Sequence, residues 1–240
     1  RSITLLYIRI MKKVLLAAVF ALAGVSFFSC SSSSSDDEPF SMNERAITLQ
    51  KGDKYAITHT GKASWSSEDT FVASVNDGEV TANHVGETAI YAMSGGSKSQ
   101  CNVTVRGLYN YFREPLCKLN ATPEDIMRYE TRSLDTKKSD RTMLFYYPAM
   151  NEDIDVVVYS FKNDKLESAF VSMTMHGNAT QALQMMTNFM SERYFGDGIS
   201  SAGYVYMNAT TTESASKFVY VTNTTPGYEG ITAALYIPRK

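Results

Sequence analysis

Cysteine, histidine and tryptophan are all scarce in this chain: three, three and one in 240 residues. Each scarcity removes a class of protein. With Cys30 set aside, only Cys101 and Cys117 remain, too few for a disulfide framework or a zinc site of thiolates. His59, His84 and His176 stand singly and no Gly-x-Ser-x-Gly occurs, so a hydrolase with a glycine-placed nucleophile and a histidine base has no visible parts. The nearest approach to a metal-binding cluster is Glu152-Asp153-Ile154-Asp155, which lacks a loop glycine and a fourth acid and is expected to be a solvated hairpin end rather than a metal loop. Positive charge is short as well. Arg1, Arg9, Lys12 and Lys13 precede Cys30 and no acid does, which leaves 19 basic against 25 acidic residues, net −6, in the rest of the chain. A nucleic-acid-binding face needs the opposite sign. The longest apolar run, Val14 to Phe28, has 15 residues, below the roughly 20 that span a bilayer as a helix. The expectation is a chain with no cofactor, no metal, no nucleic-acid partner and no enzymatic activity.

What is present begins with an address. Met11-Lys12-Lys13 and the apolar run behind it have the charged head and hydrophobic stretch of a secretory signal peptide, over residues 1–29, with 1–10 read as untranslated. Phe27-Phe28-Ser29-Cys30 resembles the lipobox of bacterial lipoproteins, with Phe27 where leucine is commoner. The resemblance implies a diacylglycerol on the Cys30 thiol, and acyl chains contribute roughly 0.8 kcal/mol per buried methylene to membrane attachment. Cys30 is then a lipidation point, and the membrane is a partner through it. Residues 30–42 read as a disordered tether, with five serines at 31–35 and then Asp36, Asp37 and Glu38. Those three acids resemble the surface-export signal of lipoproteins from the Bacteroides group, which implies an outer-membrane anchor facing outward.

From 43 to 105 the chain breaks into seven short β-type runs at intervals of eight to twelve residues, separated by glycine-bearing turns such as Asn76-Asp77-Gly78 and Ser94-Gly95-Gly96. That spacing predicts an all-β sandwich. In order, Ser64-Trp65-Ser66-Ser67, Val72-Ala73-Ser74-Val75, Gly78-Glu79-Val80-Thr81-Ala82, Gly86-Glu87-Thr88-Ala89-Ile90 and Cys101-Asn102-Val103-Thr104-Val105 resemble the group 2 bacterial immunoglobulin-like domain. The resemblance implies an extracellular spacer or adhesion module. It also places Trp65 as the core anchor between the sheets, with Val72, Val75, Val80, Ile90 and Val103 around it.

Residues 106–240 read as an α+β domain in the order helix, three strands, helix, three strands, with the helices laid on antiparallel sheet. Thr122-Pro123-Glu124-Asp125 has the N-cap, the proline at N1 and the first-turn acids of a helix start. Ala179 to Tyr194 is the long helix, its apolar face set by Ala179, Leu183, Met186, Met190 and Tyr194 and broadened by Ala182 and Phe189. Gly196-Asp197-Gly198 is expected to end it. Twelve of the 15 tyrosines lie in this half. Tyr204, Tyr206 and Tyr220 fall on consecutive expected strands, where an exposed row could stack on sugar rings or a protein partner. The expected whole is a cell-surface lipoprotein acting as a non-catalytic binding or adhesion module for a glycan or a host or envelope protein, held off the membrane by its immunoglobulin-like spacer. The alternatives are a purely structural envelope protein and, behind it, a hydrolase. Cys101 and Cys117 are expected to be unbridged, each in its own apolar setting.

Overall fold

The computed structural model describes residues 39–175, 178–200, 203–223 and 231–240. Cys30, Asp36, Asp37, Glu38 and His176 lie outside the described residues, as does the expected signal peptide. What is described is mostly β, 47% strand with few helices.

The first region is built from β1 (Ser41–Met42), β2 (Ala46–Gln50), β3 (Lys54–Ala56), β4 (His59–Thr60), β5 (Ser64–Ser67), β6 (Ala73–Asn76), β7 (Glu79–Ala82), β8 (Gly86–Ser94) and β9 (Ser97–Arg106). One sheet has the order β2-β9-β8-β5 and another β3-β7-β6, while β1 pairs with β4. β2 runs parallel to β9, with Ala46 opposite Asn102 and Gln50 opposite Arg106. Alternate residues of both larger sheets turn inward, as the two-residue period of a strand requires. They meet in one core of Leu49, Ile57, Ala73, Val80, Ile90, Cys101, Val103 and Val105, so this region is a two-sheet sandwich. All seven expected runs have a counterpart. The expected tether is too long, however, because Ser41 and Met42 pair with Thr60 and His59 and Met42 is buried in the core.

Trp65 also departs from expectation. It is partly buried and packs against the core from its margin, ringed by Phe40 in an edge contact at 6.0 Å and by His59 at 5.1 Å. The fully enclosed positions belong to small and branched residues, Ala73, Val80, Ile90, Ala92 and Cys101. A narrow sandwich has room at its centre for interlocking aliphatic groups and takes the bulkier indole at the margin of that core.

The second region contains α1 (Pro123–Tyr129), β10 (Ser133–Leu134), β11 (Met143–Tyr147), β12 (Val156–Lys162), β13 (Lys165–Met173), α2 (Ala179–Arg193), β14 (Phe195–Ser200), β15 (Gly203–Met207), β16 (Lys217–Thr222) and β17 (Thr232–Pro238). Its eight strands form one sheet, β10-β11-β12-β13-β17-β16-β15-β14, and every pair in it is antiparallel. Each helix precedes a run of four strands, not three, and the two runs meet at their last members, β13 and β17. The α+β class expected here overstates the helical share, since helices of 7 and 15 residues accompany eight strands. The strands missed were the edges. β10 is too short to show a period, and β14 begins where Gly196-Asp197-Gly198 was expected to be a helix stop. Arg193 ends the helix instead, with the Tyr194 N–H donating to the Met190 carbonyl, and the glycines accommodate a register shift in β14.

Local chemistry explains the elements that match expectation. Thr122 and Asp125 form a reciprocal capping box at the start of α1. Asn178 caps α2 by accepting the Gln181 N–H at 3.0 Å. Asn163 and Asp164, both with positive φ, make the two-residue turn between β12 and β13. Against one face of the sheet, α2 buries Ala182, Met186, Phe189 and Met190 on Val171, Val219, Ala234 and Tyr236. The methionines at 173, 186 and 190 fill this core.

Candidate functional site

The tyrosine row does not form. Tyr204 sits opposite Val221 and Tyr206 opposite Val219, whereas Tyr220 sits opposite Val205. Directly opposed residues share a face, so Tyr204 and Tyr206 lie on the helix-covered side and Tyr220 on the other. Tyr206 is buried in the main core, Tyr220 packs against the small cluster of Met207, Ala215 and Phe218, and only Tyr204 is exposed. The two-residue period correctly paired Tyr204 with Tyr206. It could not reveal the register that separates them from Tyr220.

Glu152 is not a solvated hairpin end either. Its carboxylate accepts two bonds from Arg132, Nη2 at 2.7 Å and Nε at 2.8 Å, and the backbone N–H groups of Arg113 and Ala149 at 2.8 and 3.1 Å. Arg132 also reaches both oxygens of Glu130 at 2.8 Å and bonds the Arg113 carbonyl. The side chains of Arg132, Glu130 and Glu152 are 1%, 0% and 8% exposed. The Tyr159 hydroxyl donates to Glu130 and accepts the Leu116 N–H at 3.1 Å. Burial opposes charge on Arg132, yet the bonds and charges of the two carboxylates hold its pKa above the ordinary guanidinium value. Glu152 is likewise penalised by burial but held below the usual carboxylate range by Arg132 and the two N–H donors. Burial, then the Glu130 charge, pushes the Tyr159 hydroxyl up. Every strong donor is already engaged, so the cluster is built to hold the start of the domain onto β12 rather than to move a proton. Among the described residues no group of three or more His, Cys, Asp or Glu could hold a metal ion.

The joint between the two regions is a second polar cluster. β9 runs into Gly107, and the Glu192 carboxylate accepts the next two backbone N–H groups, Leu108 at 2.9 Å and Tyr109 at 3.0 Å. The Glu192 carbonyl accepts the Val85 N–H at 2.8 Å from the loop before β8. A Cβ at residue 107 would collide with Glu192 Oε2, so any larger residue there requires the carboxylate to shift from its two donors. Arg193 completes the joint, bonding Asn110 Oδ1 and the Phe189 carbonyl, each at 3.1 Å, with its guanidinium 3.6 Å from the Phe189 ring centre. Burial lowers its pKa against the opposing charges of Glu114 and Glu192. A signal for both residues was legible: they stand three and four positions after Phe189, on the buried side of α2.

Cys101 and Cys117 are free. Burial pushes the Cys117 thiol up to about 12 and raises that of Cys101 too, so neither is a ready nucleophile.

Open spaces occur among the described residues as well. A groove of about 600 Å³ beside α1 is lined by Leu116, Lys118, Asn120, Asp125, Arg128 and Tyr129 among others. Next to the joint, hollows of about 420 and 380 Å³ share Thr70, Phe71 and Thr210 and so make one cleft. The first region supplies one wall of that cleft and the turn between β15 and β16 the other. His84 stacks flat on Phe71 with ring centres 3.9 Å apart, and its Nδ1 lies 2.8 Å from the Phe71 carbonyl. That bond fixes Nδ1 as the protonated nitrogen and leaves Nε2 as an acceptor. Burial lowers the pKa of His84, which keeps the ring neutral.

No family model and no curated protein matches this sequence. Among solved structures, domains 5–6 of the S-layer protein SbsC are 14% identical, with 84% of each chain covered and a TM-score of 0.25. Domains 4–9 of the surface layer protein SbsC are 12% identical over 85% of this chain and 27% of that one, with a TM-score of 0.23. Likeness at that level carries no argument about role.

Proposed function

We propose that this chain is a lipid-anchored protein of the bacterial outer surface, in which a group 2 bacterial immunoglobulin-like module carries a second, sheet-based domain, and that the two together bind a glycan or a protein without transforming it. The lipid on Cys30 and the outward address at Asp36, Asp37 and Glu38 rest on the sequence. The joint supports the rest. A spacer that presents a binding domain must fix its direction, and Glu192 does so with three backbone N–H groups drawn from Val85, Leu108 and Tyr109. The buried Glu130–Arg132–Glu152 cluster suits the same reading, because its groups are spent on structure.

Labelling cells with a clickable fatty acid is expected to mark the natural chain and not Cys30→Ala. Proteinase added to intact cells is expected to remove the natural chain and to spare a variant with Asp36, Asp37 and Glu38 replaced by alanine. Equal labelling of both chains, or protection of the natural one, would overturn the anchor or its outward orientation respectively.

A further inference from the structure

We propose that the cleft at the joint, walled by Phe71 and His84 on one side and by Asn208, Ala209, Thr210 and Ser214 on the other, is the binding site, and that its ligand is an uncharged oligosaccharide. This rests on the surface-binding reading above and assigns it a place and a chemistry.

Four observations converge. The cleft exists only because both regions are held together, and ligand sites concentrate at such boundaries. Its hollows, about 420 and 380 Å³, lie at the small end of the range for small-molecule sites, roughly 300–1,000 Å³. Its wall carries a stacked aromatic pair, whose outer ring face is the kind of surface against which the C–H face of a sugar ring packs. Its remaining polar groups are the complement of a polyol: Thr70 Oγ1, Asn83 Oδ1, His84 Nε2, Asp69 Oδ2 and Thr210 Oγ1 have no hydrogen-bond partner among the described residues, while their neighbouring atoms are anchored. Asp69 Oδ1 accepts the Phe71 N–H at 2.9 Å, and Asn83 Nδ2 donates to the Thr70 carbonyl at 2.9 Å and to Ser74 Oγ at 3.2 Å.

The facing wall is equally set. Asn208 Oδ1 accepts the N–H groups of Ser216 and Lys217 at 3.0 and 2.9 Å, and Thr211 Oγ1 lies 2.8 Å from Ser214 Oγ. A wall fixed before the ligand arrives loses little freedom on binding. Charge decides against an acidic sugar. The lining holds one cation, Lys51, and one anion, Asp69, with a neutral imidazole between aromatic and amide neighbours. Neither sign dominates, so the contact has little for a carboxylate or sulfate to pair with.

The test is a printed array of neutral and acidic oligosaccharides probed with the full chain in a detergent that has no sugar headgroup. Three variants accompany it: Asp69→Asn, which keeps the bond to Phe71; Thr210→Val, which keeps the shape of the opposite wall; and His84→Phe, which keeps the stack. The expected result is binding confined to neutral glycans, insensitive to added salt, and weakened about tenfold by each substitution. Binding of neutral glycans that all three variants retain would move the site elsewhere and leave the surface-binding reading intact. Preference for acidic glycans with steep salt dependence would overturn the assigned chemistry. Silence across the array, from a chain that still takes up the fatty-acid label and is shaved from intact cells, would overturn the sugar assignment without touching the anchor.

Discussion

The two regions dispose of polar groups in opposite ways. The only ion pair in the described part of the sandwich is Lys54–Glu79, with side chains 63% and 51% exposed, and its core is almost purely aliphatic. The eight-stranded domain encloses Glu130, Arg132 and Glu152 with side chains 8% exposed or less, and it buries Tyr159 and Tyr236 completely. Hydrophobic burial holds a sandwich together without choosing among partners, so its identity rests on strand spacing and turns. A buried charge cluster costs desolvation and repays it only in one geometry. The first region is therefore tolerant and local in its logic, the second demanding and long-range.

The sharpest way to break this contrast is Arg132→Met. It strands two buried carboxylates and is expected to cost about 3–5 kcal/mol, read as a fall in the midpoint of denaturant unfolding. Replacing Glu130, Arg132 and Glu152 together by apolar residues of similar size is expected to recover most of that loss. If the single change is silent, the cluster holds nothing. Acid tests the same point. The folded pKa of Glu152 is depressed, so its contribution is complete above the ordinary carboxylate value near 4.5 and is lost as the pH falls through the folded value.

Trp65→Ala comes next. The indole lies at the core margin, and truncation is expected to cost about 2–3 kcal/mol, below the roughly 3–5 typical of an enclosed aromatic. A larger loss would restore Trp65 to the centre of the sandwich and make the two cores more alike. An unchanged melting temperature would place it on the surface.

Glu192→Ala addresses the joint. Two N–H donors lose their acceptor, for about 1–2 kcal/mol, and the more telling readout is cooperativity. Thermal unfolding by tryptophan fluorescence, which reports only the sandwich through Trp65, is expected to coincide with far-ultraviolet circular dichroism in the natural chain and to separate from it in the variant. Coincidence in both would mean that packing beyond Glu192 couples the regions.

This difference in logic also decides what could be read in advance. The sandwich strands announced themselves because each carries its own alternation and its own turn, as in Val80 and Ala82 before β8 or Gly95-Gly96 before β9. α1 and α2 were legible for the same reason, through Thr122-Pro123 and the apolar spacing from Ala182 to Met190. The role of Glu152 is not legible in the sequence because its partner Arg132 is 20 residues away, and no local pattern links them. The face of Tyr220 is not legible either, because register across β15 and β16 depends on where a turn closes. The cleft was invisible, since Phe71 and Thr210 meet only through the joint.

Tyr204→Ala carries the smallest expected effect and settles what remains of the tyrosine row. Tyr204 is 38% exposed, on β15 beside the edge strand β14, and Ile199, opposite it, is 77% exposed. A lone exposed aromatic on a strand contributes chiefly cross-strand packing, so its removal is expected to change stability by less than about 0.5 kcal/mol. Tyr206→Ala, two residues on and inside the core, is expected to cost several times more. Glycan binding gives the second axis of the comparison. If the cleft is the site, Tyr204→Ala leaves array binding unchanged while Thr210→Val weakens it. A loss of binding in Tyr204→Ala with stability unaltered would move recognition from the joint to the sheet edge, and would make the exposed pair of Tyr204 and Ile199 the surface to map next.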